Sequence, residues 1–214
     1  MKEPIPDERP QRRREYSGAG STLGLAMLIV LVVGLGLWFF EFRDNTSSGG
    51  ADTSGTGVID WPAGMNPTGK KPVAEIGRAA PNFKLTSPDG SVTTLDGFQG
   101  KYVLVNFWAS WCQPCRNETP ALQSLFEEET AANPGLVVIG VNQQEDADAA
   151  SSFVREYGVT YPVVLDRSGG VSQAYRVSTG LPNSFLLDPN GVIQEIFVRA
   201  VTEDDLAKIK QGIS

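Results

Sequence analysis

The stretch Val105-Asn-Phe-Trp-Ala-Ser-Trp-Cys-Gln-Pro-Cys115 joins an apolar run to two cysteines that lie three positions apart. The 214-residue chain has no other cysteine. Cys112 is predicted to lie where a buried strand ends and a helix begins. At that position, free N–H groups and the helix dipole favour a thiolate. Pro114 fits the first helical turn, where a missing N–H costs little. The pattern indicates a redox pair in which Cys112 is the nucleophile and Cys115 the resolving thiol.

The composition excludes several other uses of these thiols. Without a single histidine, the chain cannot form a Cys-His catalytic pair, and Arg116 directly after Cys115 excludes a c-type haem site. Two cysteines cannot supply the four protein ligands of a structural zinc site. A Cu(I) site and a structural bridge stay open, although so short a loop removes little chain entropy. Thiol–disulfide chemistry is the preferred interpretation over both, so we predict no cofactor and no metal site.

A long apolar segment near the N-terminus predicts one transmembrane helix. Residues 17–40 carry no charge, and about 20 such residues span a bilayer core. A cleaved signal peptide is the alternative, but its apolar core is shorter, about 7–15 residues, and here no Ala-x-Ala pattern follows. We expect a cytoplasmic tail at 1–20 and a signal anchor at 21–40.

The arginines around this segment predict its orientation. Four arginines precede it and only Arg43 follows closely, which keeps the N-terminus in the cytoplasm. The rest of the chain is then expected outside the cytoplasm, in the periplasm or on the outer face of the cell membrane. Disulfides persist in that environment, so a dithiol there would need a supply of electrons.

The remaining chain divides into a linker and one globular domain. Residues 41–74 are rich in Gly, Ser and Thr, which predicts a flexible linker, and the sequence leaves open whether Trp61-Pro62 docks on the domain. Residues 75–214 predict an α/β sheet with helices on both faces. The predicted elements are hairpins at 83–95 and 184–198, strands at 102–108, 136–142 and 162–165, helices at 113–130, 147–157 and 171–175, and a terminal helix capped by Thr202.

The active-site stretch resembles that of thioredoxin-fold proteins. Over about residues 76–213 the pattern is similar to the membrane-anchored TlpA/ResA family, and most closely to its ResA branch. The matching motifs are Ala80-Pro-Asn-Phe83, the active-site stretch, Tyr161-Pro-Val-Val-Leu-Asp166 and Leu181-Pro-Asn-Ser-Phe185. The resemblance implies a thioredoxin-like fold with an N-terminal β-hairpin and a helix-strand insertion between Asn142 and Pro182, preceded by one transmembrane helix.

The resemblance also assigns roles to residues near the two cysteines. Pro182 matches the cis-proline that faces the dithiol, and the backbone beside Leu181 is implied to pair with substrate. Glu118 matches a glutamate of ResA-like proteins. Three residues after Cys115 on a helix, it would raise thiol pKa values and carry a proton. The alternative for Glu118 is an exposed side chain that complements the helix dipole.

Three further positions carry open questions. Trp111 is by residue type either part of the core or a platform for substrate. Asn106 stands where cytoplasmic thioredoxin has a buried aspartate. Asn183 stands where many relatives have threonine, a difference that is expected to alter substrate contacts.

These features predict a membrane-tethered, extracytoplasmic thiol-disulfide oxidoreductase that works in the reductase direction. The resemblance implies the oxidised Cys-x-x-Cys-His site of apocytochrome c as substrate and a membrane electron donor of the CcdA/DsbD type. One alternative is a reductant or Cu(I) carrier for copper-site assembly in a respiratory oxidase. A thiol peroxidase is another, but Ala109 stands where that class has threonine. The net charge of −7 argues against nucleic acid as a partner.

Overall fold

The computed structural model describes Leu28 and residues 31–33, then residues 56–130, 135–177 and 180–213. Within these residues, eight strands form one mixed sheet. They are β1 (Gly57–Val58), β2 (Phe83–Thr86), β3 (Val92–Thr94), β4 (Tyr102–Trp108), β5 (Leu136–Gln143), β6 (Val163–Asp166), β7 (Asn183–Leu187) and β8 (Ile193–Phe197). The helices of the domain are α1 (Gln113–Glu129), α2 (Ala147–Tyr157), α3 (Gly170–Ala174) and α4 (Glu203–Ile213), and a 3-10 turn covers Asp96–Phe98.

The strand order brings the ends of the two central parallel strands together. It reads β1-β2-β6-β5-β4-β7-β8, with β3 paired to the outer part of β2. Strands β4, β5 and β6 run parallel, whereas β7 is antiparallel to β4, and β2 is antiparallel to β6. Because β4 and β5 end at the same edge of the sheet, the loops that follow them meet there.

Side chains of β4 alternate between two cores, one on each face of the sheet. On one face, Leu104 and Trp108 pack with buried residues of α1, α2 and α4. On the other face, Val105 and Phe107 pack with Tyr175 and other buried side chains around α3. Burial on both faces explains why this strand reads as a continuous apolar run.

The predicted elements of the domain are confirmed, with ends that differ by at most two residues. The segment between Asn142 and Pro182 contains α2, β6 and α3, which includes the predicted added helix and strand. Thr202 caps α4, as predicted, because its Oγ1 accepts a hydrogen bond from the N–H of Asp205 at 3.3 Å. The thioredoxin-like fold is thereby established, and β1 and the 3-10 turn are additions to the predicted set.

Residues 56–74 form part of the domain, so the predicted linker boundary at residue 74 is too late. Strand β1 pairs with β2, and the Trp61 side chain is only 8% exposed. The indole Nε1 of Trp61 donates a hydrogen bond to the carbonyl of Ala80 at 2.8 Å. A Cβ at Gly191 would lie 2.6 Å from the Trp61 ring, so the ring and this turn fit closely. Burial of one large aromatic side chain thus outweighs the polar composition around it.

The predicted membrane anchor falls mostly outside the described residues. Of positions 21–40, the structure describes Leu28 and residues 31–33, and of the predicted tail and linker, residues 1–20 and 41–55 lie outside it. Within the described part of the chain, no helix has both the length and the apolar character needed to cross a bilayer.

Candidate active site

Cys112 and Cys115 form a disulfide at the N-terminus of α1, with their Cα atoms 5.3 Å apart. Cys112 is the N-cap residue, and its sulfur accepts a hydrogen bond from the N–H of Cys115 at 3.2 Å. Pro114 lies in the first turn, as predicted. Cys112 is 4% exposed and Cys115 is fully buried. The sulfur that an incoming group reaches first is therefore that of Cys112, and the helix N-terminus is arranged to stabilise its thiolate.

Glu118 lies buried one turn further along α1, with only 4% of its surface exposed. Its Oε1 accepts a hydrogen bond from Asn106 Nδ2, and its Oε2 accepts one from the N–H of Val201, each at 2.8 Å. Burial raises the pKa of Glu118 to about 7, although the hydrogen bonds from Asn106 and Val201 lower it. The alternative of an exposed, dipole-complementing glutamate is wrong. Glu118 is instead a carboxyl group that can take up or release a proton near neutral pH.

Asn106 fixes the position of Glu118 from the sheet below. It belongs to the side of β4 that faces α1, and its Nδ2 also donates to Ser184 Oγ on β7 at 2.9 Å. A second carboxylate at this position would repel Glu118, whereas the neutral amide donates to it. Asn106 and Glu118 together therefore place one acid, and not two, beneath the disulfide.

The pocket around Glu118 is closed by Tyr161. The phenol is buried, and burial, followed by the charge of Glu118, raises its pKa above the ordinary range. Gly140 makes room for this ring, since a Cβ there would lie 3.1 Å from Tyr161 and 2.8 Å from the Trp108 indole nitrogen. Tyr161 thus stays neutral, and the described groups that shift the Glu118 pKa include no cation.

The Leu181-Pro182 peptide bond is cis, as the resemblance implied. Pro182 is buried, and Leu181 packs against the core cluster that contains both cysteines. Asn183, which follows, pairs with Phe107 of β4, and its Nδ2 donates to the Gly180 carbonyl at 2.5 Å. The cis-proline loop therefore lies at the sheet edge where β4 leads into the disulfide.

An open cleft lies beside the disulfide. Its volume is about 390 Å³, and its lining includes Trp111, Gly180 and Leu181. The Trp111 side chain is 72% exposed, so a core role for this residue is wrong. Gln143 and Gln144, which end and follow β5, line the opposite part of the cleft. The cleft has the position expected for a substrate segment, with an aromatic surface and amide groups around it.

The loop before Cys112 is held by contacts that sequence reasoning missed. Ser110 donates to the Glu145 carboxylate from its N–H at 2.7 Å and from its Oγ at 2.6 Å. Its carbonyl accepts a hydrogen bond from Arg116 Nη1 at 3.1 Å. Asn142 Nδ2 also donates to Glu145, at 2.7 Å. The only sequence signal for this arrangement is that Glu145 follows the end of a parallel strand next to β4. Among the described residues, no group of three or more His, Cys, Asp or Glu side chains could hold a metal ion.

Comparisons with known proteins agree with this geometry. The chain is 33% identical over 144 residues to the thiol-disulfide oxidoreductase ResA of Geobacillus kaustophilus, covering 67% of this chain and 81% of the relative. It is 37% identical over 148 residues to ResA of Bacillus subtilis, covering 67% and 80%. A family model described as AhpC/TSA family matches residues 76–196. The chain belongs to the AhpC/TSA family. Its disulfide and its ResA relatives establish it as a thiol-disulfide oxidoreductase.

Solved structures similar to this chain include one described as a thiol:disulfide interchange protein DsbE, from Chlorobium tepidum. Its TM-score is 0.58 at 32% sequence identity, and the match covers 65% of this chain and 95% of that structure. The shared part corresponds to the domain and leaves out the N-terminal region. A thioredoxin-like oxidoreductase domain of the ResA and DsbE type therefore accounts for the globular part of the chain.

Proposed function

We propose that the protein is a membrane-tethered, extracytoplasmic thiol-disulfide reductase whose substrate is the oxidised Cys-x-x-Cys-His site of apocytochrome c. The observation that carries the reductase direction is the buried Glu118 beneath the Cys112–Cys115 pair. Dithiols whose thiolates are strongly stabilised act as oxidants, because their reduced form is favoured. A carboxylate close to the pair has the opposite effect, because its negative charge disfavours a second one nearby.

The reaction begins when the Cys112 thiolate attacks one sulfur of the substrate disulfide. This forms a mixed disulfide and releases the other substrate sulfur as a thiolate. Cys115 then gives its proton to Glu118 and attacks the Cys112 sulfur, which releases the second substrate thiolate and closes the Cys112–Cys115 bond. Two electrons pass to the substrate, and its two thiolates take up protons, one of them by way of Glu118. A dithiol donor must return two electrons to the enzyme, and we propose a membrane protein of the CcdA/DsbD type.

The cleft beside the disulfide supports an extended peptide as the substrate. Trp111 offers an exposed aromatic surface, and the backbone beside Leu181 lies at the sheet edge next to the disulfide. Backbone pairing in this position would hold the peptide without demanding a particular sequence. Apocytochrome c, which is unfolded before haem attachment, suits such a site.

The substrate is tested by trapping. Cys115→Ala removes the resolving thiol, so the mixed disulfide at Cys112 should accumulate and can be identified by mass spectrometry. The double variant Cys112→Ala/Cys115→Ala serves as the matched control. Peptides that contain Cys-x-x-Cys-His are expected only with the single variant. If the trapped partners are copper-site cysteines of an oxidase subunit, the alternative in copper-site assembly replaces this substrate.

The direction is tested by the reduction potential of the Cys112–Cys115 couple. A reductase should lie near the thioredoxin value of about −270 mV, and a value near the DsbA value of about −120 mV would reverse the proposed direction. Stoichiometric, tight Cu(I) binding by the reduced protein would instead favour a copper carrier. Peroxide consumption with a chemical reductant would favour a peroxidase.

Membrane tethering is tested with the two cysteines themselves, since the chain has no others. After mild reduction of intact cells or spheroplasts, a membrane-impermeant maleimide should label Cys112, and the labelled chain should sediment with membranes after carbonate washing. A variant that lacks residues 21–40 should remain unlabelled from outside. Labelling of the full chain only after cell lysis would place the domain in the cytoplasm and contradict the proposal.

A further inference from the structure

We infer that Arg116 is a positioning residue that clamps the loop before Cys112 to helix α2 and whose charge favours the Cys112 thiolate. The inference rests on the oxidoreductase activity and is independent of the reductase direction and of the substrate. It starts from the position of Arg116 directly after the second cysteine, where its N–H donates to the Cys112 carbonyl at 3.1 Å. Arg116 and Cys112 therefore belong to the same first turn of α1.

The Arg116 side chain contacts two parts of the domain, the Ser110 loop and helix α2. Its Nη1 donates to the Ser110 carbonyl at 3.1 Å, and its Nη2 forms an ion pair with Glu156 of α2. The guanidinium carbon also lies 5.2 Å from the ring centroid of Tyr157 and 5.8 Å from that of Phe153. These two rings stack on each other with centroids 4.5 Å apart. A planar guanidinium can satisfy all of these contacts at once, whereas a lysine ammonium cannot.

Together with Glu145, Arg116 leaves Ser110 little freedom. The N–H and hydroxyl of Ser110 are held by Glu145, which follows β5, and its carbonyl is held by Arg116. Since Ser110 lies two residues before Cys112, this double attachment fixes the approach of the chain to the nucleophile. The contacts reach the loop from both sides, so the helix inserted after β5 braces the active site.

The charged groups around Cys112 and the Ser110 loop carry both signs. Arg116 supplies a positive charge near the Ser110 loop. The negative groups are Glu118 on α1, Glu145 after β5 and Glu156 on α2, and the cis-proline loop at 181–182 adds none. Arg116 is 28% exposed in its side chain, so solvent screens its charge only in part. Because Arg116 shares the first turn of α1 with Cys112 and bonds to the Ser110 carbonyl, its charge favours a thiolate at Cys112, whereas Glu118, one turn after Cys115, disfavours one at Cys115.

The test follows the pH dependence of Cys112 alkylation by iodoacetamide in the full chain, reduced and held in detergent, with the labelled peptide measured by mass spectrometry. Arg116→Gln should raise the apparent pKa of the Cys112 thiol by roughly half a unit to one unit, which slows alkylation at pH 7 by roughly 3- to 10-fold. Glu156→Gln should lower the apparent pKa, because it leaves the guanidinium charge uncompensated.

Arg155→Gln is the matched control, because it removes one positive charge from α2 at a side chain whose hydrogen bond, among the described residues, goes to Ser152. It should leave the Cys112 pKa unchanged. An unchanged pKa in Arg116→Gln, or an equal rise in Arg155→Gln, would overturn the charge assignment. If Arg116→Gln fails to fold, Glu156→Gln still tests the charge assignment. A Cys112 pKa that stays constant or rises in Glu156→Gln contradicts the inference.

The clamp is tested separately from the charge with Arg116→Lys. This variant keeps the positive charge, so the Cys112 pKa should stay close to that of the wild type. It cannot bond to Ser110 and Glu156 while stacking on Tyr157, so amide hydrogen exchange across residues 109–112 should become faster. Exchange at the wild-type rate would show that Arg116 acts through its charge alone and would overturn the positioning role. Neither readout uses a substrate, so failure here leaves the proposed reductase function standing.

Discussion

Two carboxylates with similarly small exposed surfaces behave in opposite ways in this domain. Glu118 beneath the disulfide is 4% exposed, and Asp205 at the start of α4 is 6% exposed. Two consecutive backbone N–H groups donate hydrogen bonds to them, that of Val201 to Glu118 and that of Thr202 to Asp205. Burial raises the pKa of Glu118 to about 7, whereas the pKa of Asp205 lies well below its ordinary range, chiefly through hydrogen bonds from Arg199 and Thr202.

The difference lies both in the depth of each carboxylate and in what compensates its charge, because burial is the main influence on the pKa of Glu118 and a minor one on that of Asp205. Arg199 holds both oxygens of Asp205, at 2.6 and 3.1 Å, and the Thr202 hydroxyl adds a bond at 2.7 Å. Glu118 receives two hydrogen bonds from neutral donors, and no cation of the described residues contributes to its pKa shift. A carboxylate that is paired with a cation stays ionised and stabilises the fold. A buried carboxylate without a cation keeps its proton up to near-neutral pH and is available for proton transfer.

The largest expected effect is on stability as the pH rises. A rise of the Glu118 pKa from 4.5 to about 7 means that the folded protein keeps a proton that the unfolded chain has lost. The free energy of unfolding should therefore fall as the pH rises from about 4.5 to 7, by about 3 kcal/mol from this group. Urea unfolding of the oxidised chain across this range measures it. Glu118→Gln should flatten the dependence, and parallel curves for the two proteins would contradict the assignment.

The next effect is on the rate of the resolving step. Without a carboxyl group to accept the Cys115 proton, Glu118→Gln should slow release of the second substrate thiol by roughly 100-fold at neutral pH. Rapid mixing of the reduced protein with a disulfide peptide separates this step from the first attack. Glu129→Gln, in the last turn of α1, is the matched control and should keep the wild-type rate. A normal release rate in Glu118→Gln would leave this carboxylate with a structural role only.

A smaller effect is expected at the other carboxylate. Asp205→Asn removes the ion pair with Arg199 and weakens the cap at Thr202, which should cost about 1–2 kcal/mol at pH 7. Because the folded pKa of Asp205 is lowered, its contribution is present above the unfolded value of 3.8 and is lost as the pH falls below it. Urea unfolding at pH 7 and pH 3 should show the difference shrink in acid. A constant difference would mean that the charge contributes little.

The smallest effect concerns the donor beneath Glu118. Asn106→Ala removes a hydrogen bond that lowers the Glu118 pKa, so the pKa should rise above about 7 by up to about one unit, or about 1 kcal/mol. The carboxyl band in infrared difference spectra reports this pKa directly. Ser184→Ala, which removes only the second partner of Asn106, should leave it nearly unchanged. A lower pKa of Glu118 in the Asn106→Ala variant would mean that water enters the space around Glu118.

The sequence was sufficient to predict those features that a local pattern of residues determines. The apolar run of β4, the position of Cys112 at a helix start and the periodicity of α2 are local patterns, and the structure matches them. The role of Glu118 could be predicted only from its spacing from Cys115 and from a family resemblance. Its partner Val201 lies 83 residues away, and a backbone N–H leaves no trace in residue type.

Other features depend on long-range contacts that no local pattern reports. The Leu181-Pro182 bond would read as an ordinary turn without the resemblance, since most X-Pro bonds are trans. The loop that carries the exposed Trp111 is bonded at Ser110 to Glu145, 35 residues further on. Trp61 lies in a Gly- and Ser-rich context that predicts a linker, and only its pairing with Ala80 and Gly191 in space makes it part of the core.

In the membrane-tethered protein proposed above, the docking of Trp61 would change the effective concentration of the domain at the membrane surface. If the anchor ends at residue 40, as proposed, the segment free to act as a linker shortens from residues 41–74 to residues 41–55. A Gly- and Ser-rich chain of about 15 residues has an r.m.s. span of about 21 Å, compared with about 32 Å for about 34 residues. The accessible volume falls by roughly threefold, and the local concentration near a membrane-bound electron donor rises by the same factor. One buried indole thereby favours encounters with partners in the same membrane over those further away.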